Sequence, residues 1–370
     1  MKWSWKIGRA AGVNIHVHAT FPLLLVWVAV IYYQQRGRWE DALAGLVFIL
    51  ALFAVVVLHE FGHALTARRF GIRTRDITLL PIGGLARMER MPDRPWQELL
   101  VALAGPAVNV VLASLLFAVL AVLGYGSAIF TDVNLIAGNF LARLAWVNVT
   151  LALFNLLPAF PMDGGRVLRA VLAMRLSYVQ ATSIAAAIGQ GMAVLIGLLG
   201  LFGNPFLVLI ALFVWMGAAQ EASAAQLKSA LSGLPVERVM TTEFHVLAPD
   251  DPLERAVEHV LASRQHDFPV LEEGRLVGML NRSRLLSALS RNGPASPVGD
   301  AMQRNFPSVT AGDSVNHLLP RMREEDGRAL PVVRDGELVG LLTTEGVSDY
   351  ILVHAALDKS LRHEHAAHSP

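Results

Sequence analysis

The 370-residue chain contains no cysteine, its 31 basic residues include only 4 lysines, and only 16% of its residues are charged. Without cysteine there can be no disulfide scaffold, no thiol nucleophile and no zinc held by thiolates. The scarcity of lysine beside arginine reads as a compositional bias of the source genome. A soluble domain carries about 25% charged residues, so a chain this poor in charge is not an ordinary soluble protein throughout. A net charge of +1 without any basic run excludes a nucleic acid as the main partner. What remains is apolar: 54% of residues are hydrophobic and the mean hydropathy is +0.47.

The charge that is present is unevenly placed. Residues 1–225 hold 26 charged side chains, 16 basic and 10 acidic, whereas residues 226–370 hold 35, 15 basic and 20 acidic. The first stretch reads as membrane and the second as a soluble domain. Met1 to Thr20 is basic (Lys2, Lys6, Arg9) but lacks the short apolar core and cleavage site of a signal peptide. Apolar runs follow at about 21–33, 42–67, 99–123, 135–158, 181–201 and 205–219, which predicts about six spans. Arginines cluster after the second run (Arg68, Arg69, Arg73, Arg75, Arg87, Arg90, Arg94) and after the fourth (Arg166, Arg169, Arg175), while Tyr125–Asp132 and Phe202–Asn204 have none. The positive-inside rule therefore places the N-terminus and the soluble half in the cytoplasm, consistent with an even number of crossings.

The second run is seventeen residues without a charge, Ala42 to Leu58, and it ends on His59-Glu60-Phe61-Gly62-His63. Positions i and i+4 share a helix face, so both imidazoles can bind one metal ion, with Glu60 beside them to take a proton from water. The alternative is a surface helix that happens to carry these groups. It fails on cost, because a charged residue at mid-span is penalised by about 2.5–3.5 kcal/mol. A catalytic zinc site needs a third protein ligand at the same depth. Asp163, in Asn155-Leu-Leu-Pro158-Ala-Phe-Pro161-Met-Asp163-Gly164-Gly165, closes the fourth run, which crosses in the same direction as the second. Its other reading is a helix-end cap before the two glycines. Asn155 is a candidate donor to a substrate backbone or an oxyanion, or an interhelical hydrogen bond; Asn109 and Asn148 are expected to make only the latter. The segment Asp76–Arg87 reads as an extended hairpin turning at Gly83-Gly84, whose edge could pair with an unwound substrate. No role is assigned to His16 or His18.

Together, His59-Glu60-Phe61-Gly62-His63 and the Asn155…Pro158…Asp163-Gly164 pattern resemble the site-2 proteases, which are intramembrane zinc metalloproteases. Pro81-Ile-Gly-Gly-Leu-Ala-Arg87 and Ala104-Gly-Pro-Ala-Val-Asn109 fit the same resemblance, which covers residues 1 to about 220. It implies that His59, His63 and Asp163 hold one zinc ion and that Glu60 is the catalytic acid/base.

The soluble half repeats itself at an offset of 62 residues: Val236…Met240 matches Val298…Met302, Asp251-Pro-Leu253 matches Asp313-Ser-Val315, Pro269-Val270 matches Pro331-Val332, and Gly278-Met-Leu280 matches Gly340-Leu-Leu342. Helical periodicity alternates with short apolar strands at Phe268–Leu271 and Leu330–Val333. The copies resemble a tandem pair of CBS domains, which often bind adenine nucleotides. The ligand-binding pattern carries an acid that grips the ribose, and the two copies have Arg284 and Gly346 there, so a pairing and docking module is expected rather than an ATP or AMP sensor. The tail, with His363, His365 and His368, is expected to be flexible.

The expected architecture is thus an α-helical polytopic membrane protein followed by an α+β tandem CBS domain. It divides into a protease domain at 1–221, a linker at 222–235, CBS copies at 236–292 and 298–356, and a tail at 357–370. The expected protein sits in the cell (inner) membrane and cuts membrane-anchored protein substrates. It is regulated through the CBS pair, through which it can also dimerise. The alternative is a CBS-regulated transporter or channel with a metal site, which would need polar groups lining several spans rather than gathered at one depth.

Overall fold

The computed structural model describes residues 3–81, 83–92, 94–125, 139–263, 265–316, 318, 322 and 329–353. The histidine-bearing tail and most of the Tyr125–Asp132 loop lie outside them. The chain forms two compact units, Met1–Ala225 and Gln226–Pro370.

The first unit opens with strands, β1 (Ser4–Ala10) and β2 (Val13–His18), joined through Ala11 and Gly12 at positive φ. Helices α1 (Phe21–Arg36) and α2 (Trp39–Arg69) follow, then β3 (Thr74–Leu80) and β4 (Gly83–Met88). The sheet order is β1-β2-β3-β4, with β2 and β3 parallel and the other pairs antiparallel. Parallel pairing requires a crossover, and α1 and α2 provide it. Val17 and Leu79 on one sheet face pack on Phe21 and Phe53, whose rings meet edge-on at 4.6 Å. The β1–β2 half of this sheet was not expected from sequence, although Val13, Ile15 and Val17 alternate with polar residues in strand fashion.

Among the described residues, five helices follow: α3 (Pro95–Val122), α4 (Phe140–Asn155), α5 (Asp163–Ala173), α6 (Tyr178–Phe202) and α7 (Phe206–Ala230). Four helices, α2, α3, α6 and α7, have 31, 28, 25 and 25 residues and are long and apolar enough to cross a membrane. The first and fourth apolar runs instead give helices of 16 residues, α1 and α4, shorter than the ~20 needed for a simple crossing. α2 and α3 meet at close quarters, since a Cβ on Gly62 would lie 2.6 Å from the Ala104 carbonyl oxygen. Small residues at such crossings let backbones approach in a medium that gives helices no hydrophobic reason to associate.

The hairpin differs from expectation. Leu80 pairs with Gly83 and Leu79 with Gly84, so both glycines lie in β4 and not at the turn. Close approach explains Gly84: a Cβ there would sit 2.8 Å from Glu60 Cγ. Asp76 and Arg87 brace the hairpin with two parallel hydrogen bonds of 2.7 Å.

In the second unit, a 3₁₀ turn (Val236–Arg238) precedes α8 (Leu253–Ala262), β5 (Asp267–Glu272), β6 (Arg275–Asn281) and α9 (Arg282–Asn292). The second copy supplies the short helix α10 (Val298–Ala301) and strands β7 (Val309–Thr310), β8 (Leu330–Arg334) and β9 (Glu337–Leu342). The 62-residue offset recurs in the hydrogen bonds. Asp251 accepts from the backbone of Ala248 at 2.7 Å, and Asp313 from Thr310 at 2.8 Å. Asn281 caps α9 by accepting from Arg284 N at 2.9 Å, and Thr343 accepts from Gly346 N at 3.0 Å. The copies also exchange their first segments. Met302 packs over Gly278 of the first copy and Met240 over Gly340 of the second, while bridges join Met279 to Gln303 and Thr241 to Leu341. On the surface of the first copy, the His245 and His259 rings stack at 4.2 Å.

Candidate metal centre and active site

α2 carries His59 and His63 one turn apart, both buried. α5 begins at Asp163, immediately after the loop 156–162 that leaves α4. The helix N-cap is Met162, and the Asp163 carboxylate turns to the two histidines: its Oδ2 lies 3.2 Å from each Nε2. The cap reading of Asp163 therefore does not describe where its side chain goes. The two Nε2 atoms are 3.1 Å apart. Among the described residues this is the one group of three or more His, Asp or Glu side chains able to hold a metal ion. His16 and His18 lie on β2 and take no part in it, and His18 instead meets Thr20 Oγ1 at 2.8 Å.

The donor set fits zinc. Three atoms each about 2.0–2.2 Å from a tetrahedral ion stand about 3.3–3.6 Å from one another, close to the observed triangle, and a fourth position stays open. The protonation pattern fits as well. His63 Nδ1 lies 2.7 Å from the Val101 carbonyl oxygen, which can only accept, so the proton sits on Nδ1 and the Nε2 lone pair faces the site. α3 closes the back of the cluster. A Cβ on Gly105 would lie 2.2 Å from His63 Nε2 and 2.7 Å from His59 Cε1, so only glycine lets the α3 backbone run there. Neither Gly105 nor Val101 was picked out as a site residue from sequence. The Gly-Pro pair within an apolar helix was the available signal.

Glu60 is half-buried, and its Cγ and Oε1 face Gly84 of β4. β4 is the outer strand of its sheet, so one row of its backbone groups is unpaired within the sheet. Asn155 is the last residue of α4, half-buried, at the head of the loop leading to Asp163. The expectation for Asn109 and Asn148 is overturned. Asn109 is 1% exposed with neither amide atom hydrogen-bonded among the described residues, and Asn148 donates to Leu144 of its own helix at 2.8 Å.

Arg169 also departs from its sequence reading as a cytoplasmic surface charge. It is fully buried, donates from Nε to Glu98 Oε1 at 2.8 Å and from NH1 to Glu221 Oε2 at 2.9 Å, and its guanidinium lies over the rings of Phe160 and Tyr178.

Comparison with known proteins identifies the family. Peptidase family M50 matches residues 47–198, and CBS domains match 236–291 and 298–353. The zinc metalloprotease MJ0392 of Methanocaldococcus jannaschii is 34% identical over 281 residues, 76% of this chain and 78% of that protein. Rip3 of Mycobacterium tuberculosis is 29% identical over 385 aligned residues, 94% of this chain and 93% of its own. A solved site-2 protease from Methanocaldococcus jannaschii aligns with 60% of this chain and 95% of its own, at 38% identity and a TM-score of 0.44. A membrane metallopeptidase joined to a CBS pair is thus the class of protein that helices, donor set and relatives define. The chain belongs to peptidase family M50, the site-2 protease family of zinc metalloproteases. The transporter alternative is not favoured, since the buried donors gather at one place and the relatives are proteases.

Proposed function

We propose that the chain hydrolyses peptide bonds in or near the transmembrane segments of membrane-anchored proteins, with His59, His63 and Asp163 holding one zinc ion and Glu60 as acid/base. The observation that carries this reading is the buried triangle of donors at 3.1–3.2 Å, one residue from a carboxylate that lies against the outer strand of a sheet. When bound, zinc would polarise the scissile carbonyl and make a water nucleophilic near neutral pH. The two histidines and Asp163 would hold it with two neutral nitrogens and one negative charge, less than a dication carries. Glu60 takes the proton from the water and delivers it to the leaving amine. A substrate helix must unwind to expose its peptide bonds, and β4 offers that unwound backbone an edge to pair with. Gly84 allows the edge to lie against Glu60 without a side chain between them. Asn155 is the proposed donor to the substrate backbone or oxyanion.

The arginines after α2 support a multi-pass orientation with the N-terminus and the CBS pair on the cytoplasmic side. The CBS pair is the proposed regulator and the proposed surface for homodimerisation. Asn281 is spent on capping α9, and Arg284 and Gly346 stand where a ribose carboxylate belongs, which supports a pairing module over an adenine-nucleotide sensor. The test is Glu60→Gln in the reconstituted full chain with a single-span substrate. It is expected to keep one zinc per chain and lose cleavage by about 100-fold or more. Turnover within a few-fold of wild type would reject the mechanism.

A further inference from the structure

We propose that Arg169 is the positioning residue of the metal centre: it locks the helix that begins with Asp163 to the face of α3 that backs His63, and Glu221 ties that lock to α7. The inference rests on the reading of Asp163 as a ligand.

Asp163 and Arg169 are six residues apart on α5, a helix of 11 residues. α5 and the loop before it form one packed body. A Cβ on Gly164 would lie 2.2 Å from the Leu157 carbonyl oxygen, and one on Gly165 would lie 2.6 Å from Phe160 N. Phe160 of the same loop is fully buried beneath the Arg169 guanidinium, 5.0 Å from its ring centroid. Any shift of Arg169 therefore moves the loop, the helix and the carboxylate at its first residue together.

On the other side, Glu98 is spaced i, i+3, i+7 with Val101 and Gly105, so the three share a face of α3. Val101 receives the His63 Nδ1 hydrogen bond and Gly105 lies against both imidazoles. The Arg169–Glu98 contact thus sets the spacing between the third ligand and the support of the other two. A buried ion pair adds little stability over apolar packing of equal volume, but its forked geometry fixes register in a way apolar packing does not. Arg169 does so with four elements at once: Glu98 of α3, Glu221 of α7, Phe160 of the loop and Tyr178 of α6. Glu221 is the partly exposed member, on the helix that leads the chain toward the CBS copies. A displacement of α7 therefore alters the Arg169–Glu221 contact.

The experiment uses the full chain in detergent and measures zinc affinity by chelator competition and the visible spectrum after cobalt substitution. Arg169→Lys, which keeps the charge and loses the fork, is expected to weaken zinc binding by about 10–100-fold and to alter the cobalt bands. Glu221→Gln is expected to act in the same direction more weakly. Leu172→Ala, a packing change at the half-buried far end of the same helix, is expected to lower the melting temperature and leave zinc affinity and cobalt bands unchanged. Wild-type zinc affinity and spectrum in folded Arg169→Lys and Glu221→Gln, with Asp163→Asn losing zinc, overturn the proposal while leaving the ligand assignment intact. The same loss of zinc in Leu172→Ala also overturns it, as a general effect of loosening α5. Retention of zinc by Asp163→Asn overturns both this proposal and the reading on which it rests.

Discussion

Replacing Gly105 by alanine adds one methyl group where α3 passes the metal centre. The new Cβ would lie 2.2 Å from His63 Nε2, 2.6 Å from His63 Cε1 and 2.7 Å from His59 Cε1. Ordinary carbon contacts need about 3.5–4.0 Å, so an imidazole or a helix must move by more than about 1 Å. The imidazole cannot turn aside freely, because Nδ1 is held at 2.7 Å by the Val101 carbonyl. α3 can retreat only by opening the α2 crossing, where Gly62 already abuts Ala104. Metal–ligand distances tolerate about ±0.2 Å, so a displacement of about 1 Å takes at least one histidine out of ligation. Gly105→Ala is therefore expected to reduce zinc affinity by about 100-fold or more and to abolish cleavage. The overpacking should cost about 1–3 kcal/mol of stability, too little to explain a complete loss by unfolding. Chelator competition on the detergent-solubilised chain, paired with cleavage of a single-span substrate, reads both effects. Gly191→Ala, on α6 with open space around the new methyl, is the matched control and should behave as wild type. A Gly105→Ala protein with wild-type zinc affinity and cleavage within about threefold would refute the argument from close approach.

Two further outcomes concern the CBS pair. Asn281→Ala removes the cap of α9 and should cost about 1 kcal/mol, seen as a fall of about 4 °C in the CBS transition by scanning calorimetry; an unchanged transition would count against the cap. Slight burial, then the stacked His245, pushes the His259 pKa below its ordinary value. The unfolded chain then binds the proton more readily, so this contribution is present above the ordinary histidine pKa and is lost as pH falls through the folded one. The same transition should drop on acidification from neutral pH, and His245→Ala should shrink that drop; equal drops in both proteins would rule out the ring pair as its cause.

Much of the site could be read along the chain because membrane burial makes polar groups conspicuous. His59, Glu60 and His63 end an uninterrupted apolar run, and Asp163 is an acid at the close of another. The 62-residue repeat was equally plain, since copies of one sequence pattern need no structural knowledge to be aligned. What escaped the reading were groups whose importance lies in close approach. Gly84 and Gly105 matter because of the Glu60 and histidine atoms next to them, and no spacing rule reveals a neighbour 24 or 42 positions away. Arg169 was counted among the charges that set orientation, because a sequence does not tell a solvated arginine from one enclosed by Glu98, Glu221 and two rings. The β1–β2 strands were missed for the opposite reason: they are short, and one of them begins a mixed sheet whose partner comes some sixty residues later, beyond α1 and α2.

The exchange of Met240 and Met302 between the CBS copies has a consequence for how this protein can be taken apart. Each copy completes the glycine-bearing strand of the other, so neither is a self-sufficient folding module. A chain ended between the copies would leave Gly278 without its methionine lid and an uncovered strand beside it. Two such half-molecules could restore the missing contacts only by lending segments to each other. Duplication has here produced reciprocity: the two copies follow one another along the chain and are inseparable in the folded protein.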